Sequence, residues 1–394
     1  MKRVLICCDY GAPPELMRDA LTVGKALVER DCEVSFAVGE PISFVEYAGE
    51  WIPGDLHQAP VPRNAPQLVM KRPPIDGFAD VMASAGFEDR KALMTLVDIW
   101  MRLIDGVKPD VIYAFYSPIA WMLGPSRAYT VALGHGYCLP PVLGGSFPRL
   151  SPDSTPIAAD EAMLANANDA LVRLGHPALA ALSEVLGRCH QVLYGVPAFD
   201  PYLQLRRSVS VGLLGSTASP SLIDAAPSLA AFLDASCPGV ESIVLALAGG
   251  VPGVAVDVFI HGGTTGMRRF LEQHPQVTVW DEHASLLEHA HHASAIVHHG
   301  EHDVAQRALL LGRPQMHVPW TREQQTLNAT MSWMGSQWTK SPNVSVDEFA
   351  GTFRAILKDG ALVVAAQHQA RQLSNAGLPD ALPEILKAGG LTGA

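Results

Sequence analysis

The chain has 394 residues, 48% of them apolar and 17% charged, and its 28 basic against 39 acidic side chains leave a net charge of −11. That apolar content excludes a disordered or fibrous chain. The acidic balance, with no basic block, excludes a nucleic-acid or anionic-membrane surface as the main partner. At roughly 100–200 residues per domain the length predicts two domains. Six scattered cysteines without a CxxC pair fit a reducing compartment, and fifteen histidines stand out.

The opening reads strand, loop, helix, strand. Lys2-Arg3 precede only the short apolar run Val4–Cys8, which Asp9 interrupts, so no signal peptide is expected. No later apolar run reaches the ~18 residues a membrane helix needs, and a cytoplasmic protein is expected. Val4–Cys8 has the continuous apolar character of a strand buried on both faces. Leu16, Ala20, Val23 and Leu27 recur at helical spacing, and Val34–Val38 is the next strand. This βαβ unit predicts a parallel sheet.

Trp51–Pro74 is proline-rich and aperiodic, which predicts a long irregular connection. A helix is expected over Lys91–Ile104 and strands over Pro109–Ala114 and Thr130–Leu133, followed by a Pro/Gly-rich segment from Gly134 to Pro156. Val196–Tyr202 reads as a linker, after which the α/β pattern restarts. Strands are expected at Ser242–Ala248, ending in Gly249-Gly250, and at Val256–Ile260, Gln276–Val279 and Ser294–His298. The predicted division is 1–203, 204–375 and a tail, 376–394, returning to the first domain.

The stretch after Ala295 is the most informative. A buried strand delivers His298-His299-Gly300 to the carboxyl edge of a parallel sheet, where open α/β sheets bind ligands. Val304, Ala308 and Leu311 give the following segment a helical apolar face, and Gly312 and Pro314 end it. Such a strand–Gly–helix junction aims backbone N–H groups and a helix dipole at the crevice, forming an anion site. Asp303 with Gln306 three residues on reads as an N-cap and capping-box analogue. His289, His291, His292, His298, His299 and His302, with Glu301 and Asp303, raise a metal reading. Their placement on different faces does not converge, so no metal is expected.

This block resembles the donor signature of GT-B glycosyltransferases of the family-1 type, which includes the antibiotic glycosyltransferases: HHGGxGTxxEAL, then GxPxxxxP, then DQxxNA. His298, His299, Gly300, Ala308, Leu309, Gly312, Pro314, Pro319, Gln324, Asn328 and Ala329 match it. The resemblance implies two Rossmann-like parallel-sheet domains facing a central cleft. It also makes Val209–Gly215 an interdomain strand and linker. The implied reaction is inverting transfer of a sugar from a nucleotide-activated donor to a small-molecule acceptor, with no cofactor beyond that co-substrate.

The departures from the signature fall at its centre. Glu301-His302-Asp303-Val304 stands where the family has Gly-x-Gly-Thr to hold the diphosphate, and Arg307 replaces the acid that holds the ribose. Pro13-Pro14 takes the place of the usual Gly-His, whose histidine is the general base. The implied donor residues are Gly249, Gly250, Trp280, His299, Gly300, Glu301, His302, Asp303, Val304, Arg307, Glu323 and Gln324. Glu323-Gln324 would grip sugar hydroxyls by accepting and donating hydrogen bonds. Asp9 and His135, both just past a strand, are the candidates for the base.

The expected partners are therefore a nucleotide-sugar donor and a natural-product or lipid-like acceptor, with a homodimer or helper protein as further partner classes. The altered motif also fits a catalytically degenerate homologue that helps another transferase, or an enzyme with an unusual donor.

Overall fold

The computed structural model describes the chain except for residues 11–13, 50–51, 53, 63–74, 152–153, 216–219, 221–225, 281–285 and 392–394. It divides into two units, one formed by Met1–Gly215 with Pro379–Ala394 and the other by Ser216–Leu378. Most of the predicted Trp51–Pro74 connection lies outside the described residues.

The first unit is built on strands β1 (Arg3–Cys8), β2 (Glu33–Val38), β3 (Leu56–Gln58), β4 (Val111–Phe115), β5 (Tyr129–Gly134) and β6 (His190–Leu193). They pair in the order β3-β2-β1-β4-β5-β6, all parallel. β1 and β4 are buried nearly end to end, which is why each reads as an unbroken apolar run. The helix Pro14–Val28 returns the chain from β1 to β2 and buries Leu16, Met17, Ala20, Val23 and Leu27.

The second unit repeats the plan with β7 (Ser228–Asp234), β8 (Ala255–His261), β9 (Val277–Trp280), β10 (Ala295–His298), β11 (Gln315–His317) and β12 (Gln337–Thr339). Its order is β12-β11-β10-β7-β8-β9, again all parallel. Alternation along β7 sends Leu229, Ala231 and Leu233 into one core, and Ala230 and Phe232 into another on the opposite face. In each unit the sheet winds outward from its first strand in both directions. That doubly wound order reverses between β1 and β4 and between β7 and β10, and ligands of such sheets sit at the carboxyl ends of those strands.

Three sequence expectations are corrected. Ser242–Ala248 belongs to a helix, Val240–Gly249, whose buried residues are apolar nearly all round, so its sequence lacks a polar stripe. Gly249 and Gly250 therefore end a helix and not a strand. A Cβ at Gly250 would lie 2.4 Å from the Ala350 Cβ, so that glycine allows close helix packing. Val196–Tyr202 is no linker: Phe199, Asp200 and Tyr202 are buried, and the first unit continues to Gly215. In Val209–Gly215 no strand forms beyond one bridge, Leu213 with Asp380.

That bridge joins the two crossings of the chain within the first unit. Leu213 N–H donates to the Pro379 carbonyl (2.9 Å) and Ala381 N–H to the Leu213 carbonyl (2.8 Å). Gly212 has φ 124°, and a Cβ there would lie 2.0 Å from the Pro379 oxygen, so only glycine fits. The returning helix Leu382–Ala388 is fixed by the Tyr113 hydroxyl donating to the Ile385 carbonyl (3.1 Å). Among the described residues no helix is long and apolar enough to cross a membrane.

Candidate functional site

In the first unit the switch point lies between the ends of β1 and β4. Asp9 follows β1, and Ser117 follows β4 after Tyr116, which takes the left-handed φ of 48°. The Asp9 side chain is buried, and its Oδ1 has no hydrogen-bond partner. Burial raises its carboxyl from 3.8 to about 7, against the pull of the Ser117 hydroxyl and a backbone N–H. A carboxyl that titrates near neutrality suits proton transfer at physiological pH. Ser117 was not singled out from the sequence, because its pairing with Asp9 depends on β1 and β4 being neighbours.

His135 stands one strand further out, past β5. It is buried, with its Nε2 3.2 Å from the Cys138 Sγ and 4.0 Å from a Glu15 carboxylate oxygen. Its loop is held from behind. Arg206 pairs with Asp200 in a buried ion pair and donates to the Gly136 carbonyl (2.7 Å). Asp200 packs so close that a Cβ at Gly136 would meet its Oδ1 at 2.6 Å. Neither Arg206 nor Asp200 carries a sequence motif that would have marked it.

In the second unit β10 ends at His298, and the next two residues diverge. His298 turns into the core, where its Nε2 lies 2.9 Å from the Gln315 Oε1, while its Nδ1 accepts the Gly300 N–H (3.1 Å). His299 is fully buried, with its Nδ1 3.0 Å from the Val318 carbonyl. That contact fixes the ring with its proton on Nδ1. Its Nε2 has no hydrogen-bond partner. Gly300 has φ 109°, and a Cβ there would meet Gln324 at 3.3 Å, so the turn needs glycine.

The helix His302–Leu311 begins here, with Glu301 in the N-cap position. Asp303 is therefore in the first turn and not the cap that its spacing to Gln306 suggested. Glu301 folds back so that its Oε2 accepts the His299 N–H (3.1 Å) and lies 3.6 Å from the His298 Nδ1. Burial alone would raise its carboxyl, but the neighbouring His298 and His299 bring it below the ordinary value.

Val304 packs into the core with Phe232, Phe259 and Ala308, so its side chain points away from a ligand. Burial lowers the His302 imidazole to about 4, with Asp303 opposing, and lowers His317 well below its ordinary value. Near neutrality these two histidines are uncharged and do not offset the acids. Arg307 is half-buried on the same helix, and its Nε is without a hydrogen-bond partner.

Glu323 and Gln324 open the helix Arg322–Ser332. Gln324 is the far member of a capping box: Thr321 Oγ1 accepts its N–H (3.2 Å), and its Oε1 accepts the Trp320 and Thr321 N–H groups (3.0 and 3.2 Å). Its side-chain oxygen is thus committed to the helix, leaving the amide nitrogen as the group that can meet a sugar. Burial, reinforced by Glu301, raises the Glu323 carboxyl to about 8. Thr321→Ala is expected to cost about 1 kcal/mol of stability, measured by urea unfolding; an unchanged midpoint would show that the cap is redundant.

Trp280, at the end of β9, donates its indole N–H to Asp257 (2.8 Å) and packs 4.1 Å from the His289 ring. Much of the sequence segment after it lies outside the described residues. The structure thus groups His299, Gly300, Glu301, Glu323 and Gln324, and it gives Val304 and Gly250 packing positions.

No protein-family model matches the chain, and no curated protein matches it in sequence. Solved structures do match, along its whole length. The calicheamicin glycosyltransferase CalG4 has a TM-score of 0.67 at 15% identity, covering 99% of this chain and 98% of that chain. The spinosyn rhamnosyltransferase SpnG, solved with spinosyn aglycone, gives 0.65 at 15% identity over 98% and 99%. The glycosyltransferase VinC, solved with DTDP, gives 0.63 at 13% identity over 99% of both chains. Likeness at these identities establishes the fold, the two Rossmann-like parallel-sheet domains of GT-B glycosyltransferases.

Proposed function

We propose that the chain is a glycosyltransferase that moves a sugar from a nucleotide-activated donor to a small natural-product acceptor, with inversion at the anomeric carbon. The observation that carries this reading is His299. It is a fully buried ring at the β7/β10 switch point, fixed through Nδ1, with Nε2 left for a ligand. Binding a phosphate oxygen there requires the N–H form of Nε2, so an anionic leaving group and the ring's second proton come together. The fold shared with CalG4, SpnG and VinC supports the same reading, and the DTDP and aglycone of the latter two name the ligand classes to try.

In this mechanism Asp9 takes the proton from the acceptor hydroxyl as that oxygen attacks the anomeric carbon from the face opposite the diphosphate. His299 and the head of the His302–Leu311 helix stabilise the departing diphosphate where its charge develops. Glu323 and the Gln324 amide orient the sugar. His135, buried beside Cys138 and Glu15, contributes to acceptor binding. Holding both reactants in line supplies much of the acceleration, since the protein need form no covalent intermediate.

A second reading, a helper homologue without turnover, draws on Glu301 and Val304. The turn lacks the glycine and the hydroxyl that the resemblance places against the diphosphate. Incubation with uridine- and thymidine-diphosphate sugars and a panel of aglycones separates the two. Transfer predicts release of nucleoside diphosphate only when acceptor is present, with an anomerically inverted glycoside. Donor breakdown that needs no acceptor contradicts transfer, and nucleotide binding without any turnover favours the helper.

A further inference from the structure

The residue after Gly300 is a glutamate whose carboxylate has folded into the place a bound phosphate would want. Its Oε2 takes the His299 N–H at 3.1 Å and stands 3.6 Å from the His298 ring, at the positive end of the ten-residue His302–Leu311 helix. Backbone N–H groups beside a helix N-terminus are generic anion donors, and here one of them already has its anion.

We propose that the Glu301 carboxylate is an internal occupant of the donor's phosphate cradle, which an incoming diphosphate must displace, so that residue 301 sets donor affinity. This rests on the donor reading given above.

Three observations support it. First, His299, whose N–H Glu301 holds, is fully buried, and its Nε2 has no hydrogen-bond partner. Second, the Glu301 side chain keeps 21% of its surface exposed, so it is not enclosed within a core. Third, Glu301 helps keep the neighbouring Glu323 carboxyl protonated near neutrality, so the negative charge a diphosphate meets there is that of Glu301. A diphosphate and the Glu301 carboxylate carry like charges, and like charges brought together in a partly buried site repel. The donor therefore binds against Glu301 until the carboxylate moves away.

The test is calorimetric titration of the full chain with uridine, its monophosphate and its diphosphate, and with the thymidine series. Wild type is compared with Glu301→Gln and Glu301→Gly. The Gln variant keeps the shape and removes the charge, and the Gly variant removes the side chain altogether, so one remains informative if the other fails to fold. The diphosphate is expected to bind at least about tenfold tighter to the variants, the equivalent of about 1.4 kcal/mol. The monophosphate should gain less and the bare nucleoside nothing, a graded response that general loosening of the turn would not give. Equal or weaker diphosphate binding in the variants, with wild type binding normally, overturns the role of Glu301 and leaves the donor reading intact. No binding of any nucleotide by any of the three proteins overturns both.

Discussion

Asp9→Asn is expected to slow glycosyl transfer by about 10²–10⁴-fold, the usual contribution of a positioned general base, while leaving nucleoside-diphosphate binding intact. The same substitution should stabilise the fold. Burial raises the Asp9 carboxyl to about 7 from an ordinary 3.8, so between those values the native state binds more protons than the unfolded chain. Its contribution to stability is therefore present below about pH 4 and is lost as pH rises to about 7. At about 1.4 kcal/mol per pKa unit the loss amounts to roughly 4 kcal/mol, which asparagine avoids. The expected pair is a higher melting temperature at pH 8 and a collapsed rate.

The pH–rate profile gives an independent check. A base must be deprotonated, so wild-type kcat/KM should climb with pH through about 7 and level above it. In Asp9→Asn that limb should vanish from the residual activity. A profile unchanged by the substitution would move the base elsewhere, His135 being the next candidate.

The second large effect concerns the leaving group. His299→Ala removes the buried ring whose Nε2 has no hydrogen-bond partner and, on the proposed function, takes a phosphate oxygen of the donor. The loss expected for one preorganised charge-stabilising donor is about 10²–10³ in kcat. On the same proposal the ring also contacts the ground-state diphosphate, so donor KM should rise as well. The Val318 carbonyl loses its partner in this variant, so a modest drop in stability accompanies it. His299→Gln, which can still reach that carbonyl, should recover stability better than rate.

Much of the donor-side architecture was legible because its signals are local. An apolar run ending in His299-Gly300, the stop at Gly312-Pro314 and the Gln324 turn are each written in a few adjacent residues. Gly312 does adopt a left-handed φ of 70° at the helix end. The misread strand at Ser242–Ala248 has a physical cause. A continuous apolar run cannot be told from a helix buried on most sides, and periodicity offers no arbitration. β7, the strand next to β10 and the centre of the second sheet, was missed in the same region.

The side-chain arrangement was less legible. Glu301 precedes a helix, but that its carboxylate turns back onto the His299 N–H depends on one rotamer at one turn. Gln324 was marked by its place in the motif, but that its side-chain oxygen also closes a capping box was signalled only by Thr321 three residues earlier. The Asp9–Ser117 pair spans more than a hundred residues, and only the strand order brings it together. The histidines around this turn also differ: His302 and His317 are held neutral by burial, whereas His298 and His299 frame Glu301.

The proposed function requires the β10–His299–Gly300 turn to receive the diphosphate of a nucleotide-activated donor. Its most direct test is a melting-temperature screen of the full chain against uridine, thymidine, guanosine and adenosine diphosphates at millimolar concentration. Ligand present well above its Kd raises the melting temperature by mass action. A rise with one of these nucleotides that disappears in His299→Ala is the predicted result. No rise with any of them, or an equal rise in His299→Ala, would contradict the claim.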